Sequence, residues 1–222
     1  VDEYQDFLRC TVASAGNDHR LGGGEAPPAI ISVFLGDELN AIIRSIIDGT
    51  KYREQQKTLL RVGIDVMPPI PKDTTDRNRT SPLAFTGNKF EFRMPGSSMN
   101  VADANTFLNT AVAEVLQEFA DEMEQAENFT AAAADWIQRT IRAHQRILFN
   151  GNGYSREWEE EAERRGLYNI RSTVDALPYL VAEKNLRLME KMNVLTPVEM
   201  ESRYEVELEH YSKIINIEAL TT

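Results

Sequence analysis

Apolar residues recur at different spacings in the two halves of this chain, and the spacing predicts different elements in each. "VDEYQDFLRCTVASAG" sets Tyr4, Phe7, Leu8 and Val12 near one face of an opening helix. "AIISVFL" (29–35) is a short apolar run of the kind a buried strand shows. In "GDELNAIIRSIIDG", Leu39, Ile42, Ile43, Ile46 and Ile47 fall at helical spacing, and Gly49 supplies the stop. "LLRVGIDVMPPIP" predicts a strand that Pro68 and Pro69 end. "TTDRNRTSPLAFTGN" is polar and turn-rich, hence a loop, and "NKFEFRM" alternates as a strand does.

Near residue 101 the period becomes helical and stays so. Phe107, Leu108, Ala111, Val112, Val115, Leu116, Phe119 and Met123 form one stripe; Trp136, Ile137, Ile141, His144, Ile147 and Leu148 form a second. A loop at "NGNGYS" follows, then charged "REWEEEAERRG", then "PYLVAEKNLRLMEKMNV". The last helix, 197–217, has Tyr204, Leu208, Tyr211 and Ile215 on one face. The pattern divides the chain into a mixed α and β region at 1–100 and a helical region at 101–222. His144 lies on an apolar stripe and reads as core packing, and His210 carries no assignment. Helix-like sequence runs to both ends of the chain, which suggests a piece of something longer.

Composition changes this picture in two places. The net charge of −11 over 222 residues excludes non-specific nucleic-acid binding, which needs a basic footprint. No apolar run approaches the ~20 residues of a membrane helix. The acidity is uneven: residues 1–100 carry 12 Lys and Arg against 13 Asp and Glu, whereas 101–222 carry 12 against 22. In the balanced half, Arg77, Arg79, Lys89 and Arg93 gather in 17 residues, a local cationic cluster that suits a small anionic ligand. The single cysteine, Cys10, excludes an internal disulfide framework, fits a cytoplasmic location, and reads as a small buried residue.

Two segments combine these charges with special backbone. "NDHRLGGGEAPPA" (17–29) holds Arg20 and Glu25 on either side of three glycines, with Pro27 and Pro28 closing the stretch. In "NKFEFRM" alternation puts Phe90 and Phe92 on one face and Lys89, Glu91 and Arg93 on the other. The second is either an edge strand with a solvated charged face or a site where a carboxylate takes a hard divalent cation while the cations clamp phosphate.

"NDHRLGGGEAPPAIISVFLG" taken with "DRNRTSPLAFTGNKFEFRMPGSS" resembles glutamine synthetase, in its large bacterial type III form. Shorter members of that family carry segments of the type "RLVPGYEAP", "RNRSAS" and "RIEVRFPD" in the same order. "SRYEVELEHYSKIINIEALT" also resembles the type III C-terminal portion. The resemblance implies an α+β fold: part of the curved antiparallel catalytic sheet of the glutamine synthetase fold, then a mainly helical C-terminal region. It implies ATP, Mg²⁺ or Mn²⁺, glutamate and ammonium as ligands, and a homo-oligomeric ring. Residue by residue, it matches Arg20 to binding of the glutamate carboxylate and Glu25 to the flap carboxylate that receives ammonium. Arg79 matches a phosphate contact and Lys89 a position near ATP. Glu91 matches a metal ligand, and Arg93 contacts glutamate and the transferred phosphate; Arg77 gains no contact. The arginine and the glutamate are five residues apart here, one fewer than in the shorter enzymes.

Several parts that the family uses are not in this sequence. The family's other metal ligands, glutamates and a histidine, lie mostly upstream, and a β-grasp domain of a neighbouring subunit completes each site. His19 is not at the metal-histidine position. The expectation is therefore that these 222 residues alone are inactive. Two alternatives stay open: a γ-glutamyl ligase for another amine, and a non-catalytic oligomerisation module.

Overall fold

The computed structural model describes residues 1–52, 59–60, 70–71 and 80–221. The first helix, α1 (Gln5–Cys10), has all six residues buried. One side of it gives Leu8, with Val12 just beyond, to a core that includes Ile30, Ile31, Leu83 and Trp158. The other side gives Tyr4, Phe7 and Cys10 to a second core with Phe107, Leu188, Met189 and Met200. A helix buried all round must pair its polar side chains. Gln5 accepts from the Tyr168 amide at 2.9 Å, Asp6 takes Lys184 at 3.0 Å, and Arg9 Nε donates to the Ile170 carbonyl at 2.8 Å. Cys10 is buried as expected; its Sγ lies 2.9 Å from the Ala176 carbonyl oxygen, and burial pushes the thiol pKa up.

The opening helix is shorter than its periodicity predicts. Thr11 Oγ1 donates back to the Leu8 carbonyl at 2.7 Å, and Ser14 accepts the Asn17 amide at 3.2 Å as the N-cap of α2 (Ala15–Arg20). These side chains satisfy backbone groups locally, so the chain turns between two short helices.

Residues 29–35 are buried throughout, but only Val33–Phe34 (β1) is strand. Upstream, the Ile30 amide turns back to the Pro28 carbonyl at 2.7 Å, so the ladder starts late. The helix α3 (Asp37–Asp48) ends at Gly49 with φ +66°, the left-handed C-cap that its sequence predicts. Of the strand predicted over 59–71, β2 (Leu59–Leu60) and β3 (Ile70–Pro71) are described and pair antiparallel, and 61–69 lie outside the described residues.

A three-stranded sheet runs β1, β4 (Leu83–Phe85), β5 (Phe90–Phe92). It corrects two expectations. Residues 83–85, read as loop, form a strand: Pro82 and the turn residues around "LAF" hide an apolar segment whose ladder partners are distant. The sheet is also mixed, since β1 and β4 are parallel and only β4 and β5 antiparallel. The aromatic face of β5 meets the first core at Phe92 but not at Phe90. As an edge strand β5 leaves Phe90 54% exposed, packed beside Phe85 with ring centroids 5.3 Å apart, while Phe92 is half-buried.

Helices follow. α4 (Ala102–Glu124) and α5 (Phe129–His144) pack through Phe119, whose ring meets Trp136 at 5.0 Å and Phe129 at 6.4 Å. The α4 stripe is wider than its buried face: Phe107, Ala111 and Met123 are buried, whereas Val112, Val115 and Leu116 are exposed. α5 caps α3, with Gln138 donating to the Ile46 carbonyl at 2.7 Å and Arg142 to that of Ile47 at 3.1 Å. His144 is not core packing. Its Nδ1 sits 2.8 Å from the Asp2 carboxylate, which also takes Arg146 at 2.9 Å. The pull of a buried carboxylate outweighs the apolar stripe.

Next come α6 (Arg156–Arg164), α7 (Thr173–Ala176), α8 (Glu183–Lys191) and α9 (Pro197–Thr221). Thr196 and Glu199 cap α9 reciprocally, at 2.8 and 3.3 Å, and Met200 pins its first turn in the second core. Near its end α9 braces α2, with Glu218 Oε2 3.2 Å from His19 Nε2. Among the described residues no helix is long and apolar enough to cross a membrane.

Candidate functional site

Arg20 is the last residue of α2, and a buried amide fixes its direction. Asn17 Oδ1 accepts Arg20 Nε at 2.9 Å, while Asn17 Nδ2 donates to the carbonyls of Val12 at 2.7 Å and Met94 at 3.2 Å. Arg20 Nη2 also donates to the Met94 carbonyl. The helix end is thereby tied to the segment just after β5, 74 positions away.

Residues 21–26 leave α2 as a tight loop whose two ends bridge, Leu21 beside Ala26. The Gly22 amide donates to the carbonyls of Ala26 and Pro27, both at 3.1 Å, and the Ala26 amide to that of Arg20 at 3.3 Å. Each glycine has a steric reason. Gly22 and Gly24 have φ of +77° and +92°, and a Cβ on Gly23 would lie 2.3 Å from the His19 carbonyl oxygen. Glu25 rides this loop with its side chain exposed.

The loop closes over a cavity of about 100 Å³. Arg20 and Glu25 line it from one side, Arg93 and Met94 from another, with Ser81 and Tyr154 completing the wall. Ligand pockets commonly run from about 300 Å³ upward, so this space suits part of a ligand. Two arginines in so small a space favour an anionic group.

Glu91 stands one step back, outside the cavity lining. Its Oε2 takes Arg93 Nη2 at 3.1 Å and Nε at 3.3 Å, and its Oε1 takes Lys89 at 3.2 Å. The Arg93 guanidinium first, then the Lys89 ammonium, holds the Glu91 carboxyl below its ordinary pKa. Both carboxylate oxygens are thus engaged by cations of its own strand. Among the described residues there is no group of three His, Cys, Asp or Glu side chains that could hold a metal ion. Divalent ions of this class take six or more oxygen ligands, so Glu91 and its described neighbours do not by themselves fit one.

The sequence-predicted residues therefore separate. Arg20, Glu25 and Arg93 come together at the cavity; Glu91 touches it through Arg93; Lys89 is exposed further along the edge. Arg77 and Arg79 lie outside the described residues. Two residues escaped the sequence reading. Asn17 orients Arg20, and its helix position three residues before it was the available signal. Tyr154, whose hydroxyl donates to the Glu25 carbonyl at 3.0 Å, sits in a stretch read only as loop.

The chain matches known proteins along its length. Residues 132–222 match the family model described as glutamine synthetase C-terminal domain. A type-3 glutamine synthetase of Dictyostelium discoideum is 49% identical over 223 residues, covering 99% of this chain and 30% of that protein. The chain belongs to the glutamine synthetase family. Glutamine synthetases of Butyrivibrio fibrisolvens and Bacteroides fragilis are each 43% identical, over 100% and 99% of this chain. The chain spans about a third of the length of these synthetases, 30 to 32%. The C-terminal family model begins after the 21–26 loop and the arginines, yet it includes Tyr154, so the cavity draws on both sides of that boundary.

Proposed function

We propose that the full-length protein containing this chain joins ammonium to glutamate at the expense of ATP, and that this chain carries the flap and the arginine clamps of that site. The observation that carries the reading is the meeting of Arg20, Glu25 and Arg93 at one small cavity under a glycine loop. A type-3 relative over 99% of the chain supports it.

In this reading the γ-carboxylate of glutamate attacks the terminal phosphorus of ATP, and ADP leaves. Ammonia then attacks the acyl carbon of γ-glutamyl phosphate, and phosphate leaves. Arg20 holds the glutamate carboxylate, and Arg93 neutralises charge on the transferring phosphoryl group, where electrostatic stabilisation matters most. Glu25 attracts ammonium and takes its proton, a task that needs a carboxylate beside the acyl carbon. Arg79 and Lys89 are assigned to phosphate and nucleotide. Glu91 is assigned a single place in a metal site whose other ligands lie outside the described residues. The acyl phosphate must be kept from water, and the 21–26 loop is the cover. Exposed Val112, Leu116 and Phe129 on α4 and α5 support a homo-oligomer.

The test is an assay of the full-length protein with ATP, Mg²⁺ and glutamate, offering ammonium against methylamine, ethylamine and hydroxylamine. Glutamine as the preferred product supports the reading, and preference for a larger amine replaces it with a γ-glutamyl ligase. Gly23→Ala in the same protein is expected to lower glutamine formation about tenfold or more, because misplacing a covering group by ~1 Å can cost a hundredfold. Unchanged kinetics would remove the loop from the mechanism. The 222-residue chain alone is expected to show no turnover.

A further inference from the structure

We propose that Tyr154 is a positioning residue: its phenol holds the 21–26 loop, and with it Glu25, closed over the cavity. The role rests on the synthetase reading, but the contact does not. Tyr154 donates its hydroxyl to the Glu25 carbonyl at 3.0 Å, across 129 positions of sequence, and its ring forms part of the cavity wall. The bond ties residue 154 to the loop next to its closing end, where Ala26 bridges Leu21.

The two sides of that bond differ in how firmly they are held. On the tyrosine side, the segment 149–155 is fastened at nearly every residue. The Phe149 ring stacks on Trp158 with centroids 3.7 Å apart, and its amide donates to the Val33 carbonyl at 3.0 Å. Asn150 Oδ1 accepts the Leu35 amide at 3.1 Å. The Gly153 amide donates to Thr80 Oγ1 at 2.9 Å, and a Cβ on Gly153 would lie 2.5 Å from the Thr80 carbonyl oxygen, so no side chain fits there. Asn152 Oδ1 takes the Tyr154 amide at 3.0 Å, and Ser155 caps α6. On the other side, residues 22–25 are exposed. A fixed post thus grips an exposed loop at the residue whose carboxylate meets ammonium.

The consequence is chemical. If the loop lifts while γ-glutamyl phosphate is present, water attacks the acyl carbon, the bond from that carbon to the phosphate oxygen breaks, and glutamate and phosphate are released. ATP is then consumed without glutamine. Removing one neutral hydrogen bond, worth about 1 kcal/mol, should raise the open fraction about fivefold.

Tyr154→Phe in the full-length protein tests this, because it removes the hydroxyl and keeps the ring. Tyr168→Phe, an exposed tyrosine away from the cavity, is the control. The first readout is amide hydrogen exchange. Gly22 and Ala26 should exchange about fivefold faster in Tyr154→Phe than in the wild type or the control, and unchanged exchange overturns the latch. The second is the ratio of ADP to glutamine at limiting ammonium, which should stay near one for the wild type and rise about fivefold in its excess over one for the variant. A variant with faster exchange but an unchanged ratio overturns the positioning role in turnover. If the wild type makes no glutamine, the synthetase reading fails, and the exchange experiment alone decides the latch.

Discussion

Arg93→Ala in the full-length protein should lower kcat for glutamine formation by about a hundredfold or more, the usual scale for losing one preorganised donor to a developing anion. Arg93 lines the cavity together with Arg20 and is aligned by Glu91, whose carboxylate it grips through Nη2 at 3.1 Å and Nε at 3.3 Å. Alanine removes the cation and leaves the Glu91 carboxylate its ion pair with Lys89. Arg93→Lys should recover part of kcat, since the charge returns but the planar fork does not. Steady-state kinetics in ATP and glutamate read the effect, and a kcat within threefold of wild type for the alanine variant would exclude Arg93 from phosphoryl transfer. The pairing also has a pH limit. Because the cations lower the Glu91 pKa, the pairing is fully present above the ordinary carboxyl value of 4.5 and is lost only as pH falls through the lower folded value.

Arg9→Met should destabilise the fold by about 3 kcal/mol, the scale for breaking a buried ion pair by removing one partner. Arg9 is 1% exposed in the last turn of α1, the helix that contributes to both cores. Its guanidinium serves the carbonyls of Ile170 and Arg171 and the carboxylate of Asp18, which also takes the Thr173 amide at 2.9 Å and hydroxyl at 2.8 Å. Methionine fills much of the volume but leaves those acceptors without their donor, and Asp18 lies on α2 two residues before Arg20. Denaturant unfolding of wild type, Arg9→Met, Asp18→Asn and the double variant should show a coupling of ~1 kcal/mol or more. Additive losses would mean that the pair does not act as a unit.

The elements legible in the sequence were those whose signals are local. α3 announced itself through isoleucines at helical spacing and Gly49, and α9 through Tyr204, Leu208, Tyr211 and Ile215 on one face. What escaped depends on partners far along the chain. Thr11 breaks the opening helix by bonding back to Leu8, which periodicity does not register. Strand 83–85 exists because Val33 and Phe92 flank Leu83. His144 leaves its apolar stripe for Asp2, 142 positions away. At the site, Arg20, Glu25 and Arg93 were legible through family motifs. Tyr154 was not, because its contact is to a backbone carbonyl that no side-chain pattern encodes.

The central claim is that the parent protein activates glutamate as an acyl phosphate at this site. The most direct measurement uses glutamate labelled with ¹⁸O in its γ-carboxylate, incubated with the full-length protein, ATP, Mg²⁺ and ammonium. Attack of the labelled oxygen on phosphorus, followed by displacement by ammonia, carries one ¹⁸O from glutamate into each inorganic phosphate released. The account predicts that transfer, one label per glutamine formed. Phosphate free of label, or label found in AMP, would contradict it.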